Sequence, residues 1–312
     1  MSGEIFVAGH RGLVGSAIVR RLEREGLGAK LLVRTKSELD LTDRRAVRAF
    51  FEEHRPEQVY LAAAKVGGIL ANDTYPADFI LENLLIETSV IDAAYQVGTN
   101  KLLFLGSSCI YPRLAPQPIR EEHLLTGPLE PTNSAYAIAK IAGLELVRAY
   151  RKQHGFSAIS LMPTNLYGPG DNFDLNGSHV LPALLRKMLD AKARGDREVV
   201  VWGSGTPRRE FLYADDLADA AVFLMKRYDD PAPINVGVGD DVSIAELAQL
   251  IREVVGFTGE LRFDREKPDG TPRKLLDVSK LHALGWRAKT PLREGIEATV
   301  RWYADAQRGV GR

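Results

Sequence analysis

The chain has 312 residues, with 41 Lys plus Arg against 41 Asp plus Glu and so no formal net charge; at about 150 residues per domain this suits two domains or one with a large insertion. Hydrophobic residues at 45% and charged residues at 26% are ordinary for a globular protein, and the charge balance argues against nucleic acid or an anionic membrane as the main partner. No run approaches the roughly 20 apolar residues of a membrane span, the start Met1-Ser2-Gly3-Glu4 lacks a signal-peptide pattern, and a single cysteine makes a reducing, cytoplasmic compartment the expectation.

Short apolar runs alternate with helical patterns through the first half. Ile5-Phe6-Val7-Ala8 reads as a buried strand, after which Val14, Ile18 and Leu22 recur every four residues until Gly26. Leu31-Leu32-Val33 is a second strand, and Thr42 is the expected cap of a helix carrying Val47, Phe50 and Phe51 that stops before Pro56. Gln58–Ala62 and Lys101–Leu105 are a third and fourth strand, separated by a long helix around Ile80, Leu84 and Val90. A further helix spans roughly Ala135 to Gln153, followed by the strand Ala158–Leu161. The alternation implies a doubly wound parallel α/β sheet covered by helices on both faces.

Beyond residue 165 the rhythm loosens. Gly168-Pro169-Gly170 and Asn176-Gly177 mark turns, Ser243-Ile244-Ala245-Glu246 is a capping box, and Lys267–Pro272 is a loop. The expected division is a dinucleotide-binding domain over residues 1–165, to which 195–240 return, and a smaller α+β substrate region over 166–312. Val199–Val201 and Ile234–Val236 are the strands expected to extend the main sheet.

Gly9-His10-Arg11-Gly12-Leu13-Val14-Gly15 lies between the first strand and first helix, where glycines permit a tight turn and close approach of a diphosphate to the helix N-terminus. The GxxGxxG spacing only partly matches the generic fingerprint, and a plain structural turn is the alternative. After the second strand stand Arg34, Thr35 and Lys36, with no acid until Glu38; cations there suit a ribose 2′-phosphate, so NADP(H) is expected over NAD(H). Tyr136 and Lys140 share a helix face, where the ammonium is expected to lower the phenol pKa. Ser107 and Ser108 follow the fourth strand, at the edge where open α/β sheets bind ligands.

Glycine loop, strand-end serine and Tyr-x-x-x-Lys, in that order, resemble the short-chain dehydrogenase/reductase family in its extended form, which acts on nucleotide sugars. Further matching segments are Ala62–Ile69, Leu105–Pro112, Glu130–Lys140, Met162–Pro169, Trp202–Phe211 and Lys267–Lys274, covering nearly the whole chain. The resemblance implies a Rossmann sheet and the branch that inverts C3 and C5 of a GDP-bound 4-keto-6-deoxy-mannose and reduces C4 with NADPH. By that resemblance Tyr136 supplies the proton at C4, Lys140 tunes it and holds the nicotinamide ribose, and Ser107 hydrogen-bonds the C4 oxygen. Cys109 and His179 match the acid/base pair of epimerisation; alone, a cysteine after a strand is more often a small buried side chain. Ser108-Cys109 carries no carboxylate where a dehydratase has an Asp-Glu pair.

The resemblance also implies cofactor contacts from Gly9 to Gly15 (including His10, Arg11, Gly12, Leu13 and Val14), Arg34, Ala62, Ala63, Leu105, Gly106, Ser107, Ser108, Lys140, Pro163, Thr164, Asn165, Leu166 and His179. Nucleotide-sugar contacts are expected from Lys187, Trp202, Arg209 and Asp269, whose plainer readings are a solvated lysine, a core ring, an ion-pair partner and a turn former. No metal is expected. A homodimer is implied, formed by the helices around 77–97 and 134–153. A simple 4-epimerase recycling NAD(H), or a non-catalytic NADP-binding sensor, remain as alternatives; Arg34 with Lys36 and the Cys109–His179 pair count against the first, and Ser107, Tyr136 and Lys140 against the second.

Overall fold

A computed structural model of the chain describes residues 3–175, 177–267 and 269–309. Met1 and Ser2 of the N-terminal pattern, Asn176 of the turn and Pro268 of the loop lie outside them. In chain order the elements are β1 (Ile5–Ala8), α1 (Leu13–Arg24), β2 (Leu31–Leu32), α2 (Arg44–His54), β3 (Gln58–Leu61), α3 (Ile69–Thr74), α4 (Pro76–Gln96), β4 (Lys101–Leu105), α5 (Ser134–His154) and β5 (Ala158–Pro163). There follow β6 (Asn165–Tyr167), α6 (Val180–Arg194), β7 (Glu198–Trp202), β8 (Arg208–Arg209), β9 (Phe211–Tyr213), α7 (Ala214–Arg227), β10 (Ile234–Val236), β11 (Val242–Ser243), α8 (Ile244–Val255), β12 (Glu260–Asp264), β13 (Arg273–Lys274), α9 (Ser279–Ala283) and α10 (Leu292–Gln307).

Six strands form one sheet in the order β10-β5-β4-β3-β1-β2, every neighbouring pair parallel. The alternation along β1 explains the two layers of helices. Phe6 and Ala8 point into a core shared with Val47, Phe51, Val90, Ile91 and Leu144 of α2, α4 and α5, while Ile5 and Val7 point into one shared with Ile18, Leu22, Leu217 and Ala221 of α1 and α7. Each large apolar side chain so buried contributes about 1.5–3 kcal/mol. The chain leaves β1 for β2 on one side and returns to β3 on the other. A crevice therefore opens outside the carboxyl ends of β1 and β3.

Two local expectations are corrected. The cap of α2 is Asp43, whose carboxylate accepts from the N–H groups of Arg45 at 2.9 Å and Ala46 at 3.2 Å. The Thr42 hydroxyl instead donates to Asp40 at 2.8 Å. Ile234–Val236 does join the main sheet beside β5, but Val199–Val201 does not. That run lies in β7, paired in parallel with β12 alone, and its Val199 and Val201 pack into a third core with Leu184, Met188, Leu247 and Ile251 of α6 and α8. An apolar run of this length signals a buried strand without saying which sheet buries it. The capping box of α8 is as expected, Glu246 N–H donating to Ser243 Oγ at 3.1 Å.

The C-terminal half reaches back over the carboxyl ends of the strands. Ile119, in the loop after β4, bridges Leu276 just beyond β13, and the buried Glu210 between β8 and β9 accepts from the N–H groups of Val238, Gly239 and Leu276 at 2.6, 2.7 and 3.1 Å. The bridge holds the segment after β13 beside the loop that follows β4, and Glu210 ties that segment to the turn after β10.

Candidate active site

At the end of β1 the chain turns through Gly9 with φ +85°, where a Cβ would lie 2.8 Å from the backbone of Ala63. Gly15 faces back on the same turn, and a Cβ there would lie 2.0 Å from the Gly9 carbonyl oxygen. Only hydrogen at both positions lets α1 begin this close to β1. Gly12 caps α1 with no side-chain acceptor, so no side chain caps the N–H groups of its first turn, a site suited to a diphosphate. His10 beside it is held below the usual imidazole pKa by burial and by the neighbouring Arg11.

The end of β2 fits a 2′-phosphate rather than a bare ribose. Arg34 donates to the Val33 carbonyl at 2.9 Å and stands 5.3 Å over the Phe50 ring, which fixes its guanidinium at the strand end. Glu38, the first acid after β2, accepts from the Thr35 N–H at 2.7 Å and its hydroxyl at 2.8 Å. Its carboxylate thereby closes the turn and is taken from the role of gripping a ribose hydroxyl. Ala62 and Ala63 follow β3, Leu105, Gly106 and Ser108 lie at the end of β4, and Pro163, Thr164, Asn165 and Leu166 run from β5 into β6. The expected dinucleotide residues therefore line consecutive strand ends, and they fit the cofactor.

Four expected catalytic side chains converge beyond β4. Ser107 caps a short 3-10 turn and its Oγ accepts from the Cys109 N–H at 3.1 Å; it also faces the Tyr136 phenol. Lys274 of β13 donates to Cys109 Sγ at 3.4 Å. Burial alone would push the thiol pKa up, but the Lys274 ammonium, the Ser107 and Lys274 hydrogen bonds and the Arg209 guanidinium hold it below the ordinary thiol value. His179 caps α6 on a loop docked to the segment after β3, where Gly68 N–H donates to the Gly177 carbonyl at 2.9 Å. Its ring is reachable by solvent within a crowded cleft, and desolvation there, with the Lys274 charge, lowers its pKa. Lys274 thus faces both members of the expected acid/base pair.

The expected effect of Lys140 on Tyr136 is corrected. Burial raises the phenol pKa well above its ordinary value, the charges of Cys109 and Glu87 raise it further, and only the neighbouring Ser107 hydroxyl opposes them. The Lys140 ammonium lies 5.9 Å from the phenol ring centroid and is already matched: its Nζ stands 3.0 Å from Glu87 Oε1 and donates to the Leu105 carbonyl at 3.0 Å. Both members of this pair are buried, at 2% and 1% exposure. Removing one partner of such a pair typically costs about 3–5 kcal/mol.

The expected substrate residues form a second group. Lys187 Nζ sits 4.9 Å over the Trp202 ring and donates to the Val200 carbonyl at 3.3 Å; burial lowers its pKa. Trp202 is half exposed, with Lys267 over the ring as well at 5.6 Å. Asp269 closes the turn beside Trp202, accepting from the Ser204 N–H at 2.7 Å and hydroxyl at 2.8 Å. Arg209, largely buried, is directed by its Nη1 bond to the Arg208 carbonyl at 2.8 Å and faces the charges of Cys109, Glu130 and Asp269, which joins this group to the catalytic one.

Glu87 and Lys274 were not singled out from sequence. Glu87 is the charged interruption on the buried stripe Phe79, Asn83, Ile86 and Val90 of α4, a pattern that marks a carboxylate with a buried partner. Lys274 ends a quoted motif, but nothing local links it to Cys109.

The model of the NAD dependent epimerase/dehydratase family matches residues 5–237. The chain is 62% identical to GDP-L-fucose synthase 1 of Arabidopsis thaliana over 97% of this chain and 93% of the relative. It is 56% identical to GDP-L-fucose synthase of Escherichia coli over 97% of each. Among solved structures, a GDP-L-fucose synthetase from Naegleria fowleri bound to NADP superposes with a TM-score of 0.91 at 33% identity, covering 100% of this chain and 97% of the other. The chain belongs to the NAD dependent epimerase/dehydratase family, in its group of GDP-L-fucose synthases.

Proposed function

We propose that this enzyme converts GDP-4-keto-6-deoxy-D-mannose to GDP-L-fucose by 3,5-epimerisation and NADPH-dependent 4-reduction. The observation that carries the proposal is the convergence of Ser107, Cys109, Tyr136 and Lys140, with Lys274 and Arg209, on one cleft beside the strand ends that fit NADP(H). The relatives' names and the NADP-bound neighbour support it.

The 4-keto group acidifies the protons at C3 and C5 because the electron pair left behind spreads onto oxygen as an enolate. Inversion requires a proton removed from one face of the sugar and returned on the other, and Cys109 and His179 supply this pair; the thiol is brought down towards neutrality, while the lowered pKa of His179 keeps its imidazole neutral and able to accept a proton. Ser107 and Tyr136 donate hydrogen bonds to the carbonyl oxygen and so stabilise the enolate. NADPH, when bound, supplies the hydride at C4. Tyr136 then gives its proton to the C4 oxygen, a role its raised pKa suits, since the phenol arrives protonated. Lys140 holds the nicotinamide ribose and faces the phenolate left by that transfer. Arg34 grips the 2′-phosphate; Arg209 and Lys187 meet the diphosphate, Trp202 stacks on the base, and Asp269 meets sugar hydroxyls.

The same reading assigns residues 1–165 with the returning strand to the cofactor and 166–312 mainly to the nucleotide sugar. It places the enzyme in the cytoplasm; among the described residues no helix is long and apolar enough to cross a membrane. It also pairs two copies through α4 and α5, whose Leu81, Leu85 and Ile138 are 58%, 38% and 47% exposed.

NADPH oxidation followed with the GDP-linked 4-keto sugar and with its UDP counterpart tests the reading, NADH serving as a parallel hydride source. Oxidation only with the GDP sugar, and faster with NADPH than NADH, is expected. Equal rates with both sugars, or none with either, would contradict it.

A further inference from the structure

Within that functional reading one buried charge is unused. Glu87 projects from α4 into the layer between the sheet and α5, and its Oε1 meets Lys140 Nζ at 3.0 Å. Burial pushes the Glu87 carboxyl pKa up and Lys140 opposes it; among the described residues neither carboxylate oxygen has a directed hydrogen bond, so Lys140 is the group that holds this buried carboxylate charged. The fold makes room for it: a Cβ at Gly143, one turn beyond Lys140 on α5, would lie 2.6 Å from Glu87 Oε2 and 2.5 Å from the Phe104 ring. Lys140 is thereby fixed from three sides, by Glu87, by the Leu105 carbonyl at 3.0 Å and by the Phe104 ring at 5.0 Å.

We propose that Glu87 is a positioning residue of the reduction: it anchors the Lys140 ammonium and balances its charge, so that Tyr136 enters the reaction as a proton donor. A lone ammonium beneath a phenol favours the phenolate, which suits a tyrosine acting as base; a matched one favours the phenol, which suits a tyrosine acting as acid. The groups facing Tyr136 are Glu87 from α4, Lys140 from α5, and Ser107 and Cys109 from the loop after β4, with Lys274 and Arg209 beyond Cys109. Glu87 is among the groups that keep the phenol protonated. Buried at 1% exposure, it acts through Lys140.

The inference rests on the proposed roles of Tyr136 and Lys140, and its test separates the two. The pH profile of kcat/KM for reduction is measured for the wild type, Glu87→Gln and Glu87→Asp, alongside thermal melting. In Glu87→Gln the unmatched ammonium stabilises the phenolate, so the basic limb moves to lower pH by about 1 unit, a roughly tenfold loss of rate above the limb. Glu87→Asp keeps the charge but withdraws it by one methylene, and its limb moves the same way by less. A lowered melting temperature with the limb unmoved in the folded variants makes Glu87 merely structural and overturns the proposal. Should Glu87→Gln not fold, an unmoved limb in Glu87→Asp overturns it equally. A wild type that oxidises no NADPH with the GDP sugar overturns both this and the functional reading.

Discussion

At the scale of single residues the site works by opposed displacements. Cys109 is held below the ordinary thiol pKa although burial pushes the other way, because Lys274, Ser107 and Arg209 together outweigh desolvation. Tyr136, which shares Ser107 with Cys109, is held above its own ordinary value. On the proposed mechanism, one residue is thereby readied to exchange a proton near neutral pH and its neighbour to keep one until hydride transfer. Cys109→Ala should slow exchange of the C3 and C5 protons with solvent by about 10²–10⁴-fold, while reduction of the keto sugar as supplied persists in part. Proton exchange is read by deuterium uptake without NADPH. Uptake at the wild-type rate would remove Cys109 from the mechanism. The types and order of these residues are legible in the sequence; their charges in place are not. Tyr136 and Lys140 at four-residue spacing point to an acidified phenol, yet burial first, then the charges of Cys109 and Glu87, reverse that expectation, and Glu87 arrives from a different helix.

At the scale of elements, strands and helices follow from local pattern, and the misses come from competition that pattern does not record. Thr42 and Asp43 are both good caps, and Asp40 decides between them by occupying the Thr42 hydroxyl. Val199–Val201 has the composition of a central strand, and α6 and α8 draw it into a separate core. α4 carries two faces, one buried with Glu87 and Val90 and one presenting Leu81 and Leu85 to solvent, as α5 presents Ile138. If that outer face pairs two copies, Leu81→Glu should weaken the pair by about 100-fold, on the order of 2–3 kcal/mol for a charge placed in an apolar contact. Sedimentation across a concentration series checks it, and a variant that sediments like the wild type would place the interface elsewhere.

At the scale of the whole molecule, function depends on the C-terminal half closing over the sheet. The chain up to β5, in α5 and the loops at the strand ends, provides the glycine turn, Ser107, Cys109, Tyr136 and Lys140. Lys274, Arg209 and His179 come from beyond β5; Glu210 with the Ile119–Leu276 bridge sets the approach of the first two, and the Gly68–Gly177 hydrogen bond that of the third. The sheet was legible because parallel strands are continuous apolar runs; the closure was not, because it rests on two-residue strands and single buried polar contacts. The single measurement that bears most directly on one cleft performing both inversion and reduction is turnover of GDP-4-keto-6-deoxy-D-mannose with NADPH in deuterated water, with the product resolved by NMR. The expected product is GDP-L-fucose bearing deuterium at C3 and C5, with one NADPH oxidised per molecule formed. A reduced sugar that keeps its original configuration and protons at those carbons would contradict it.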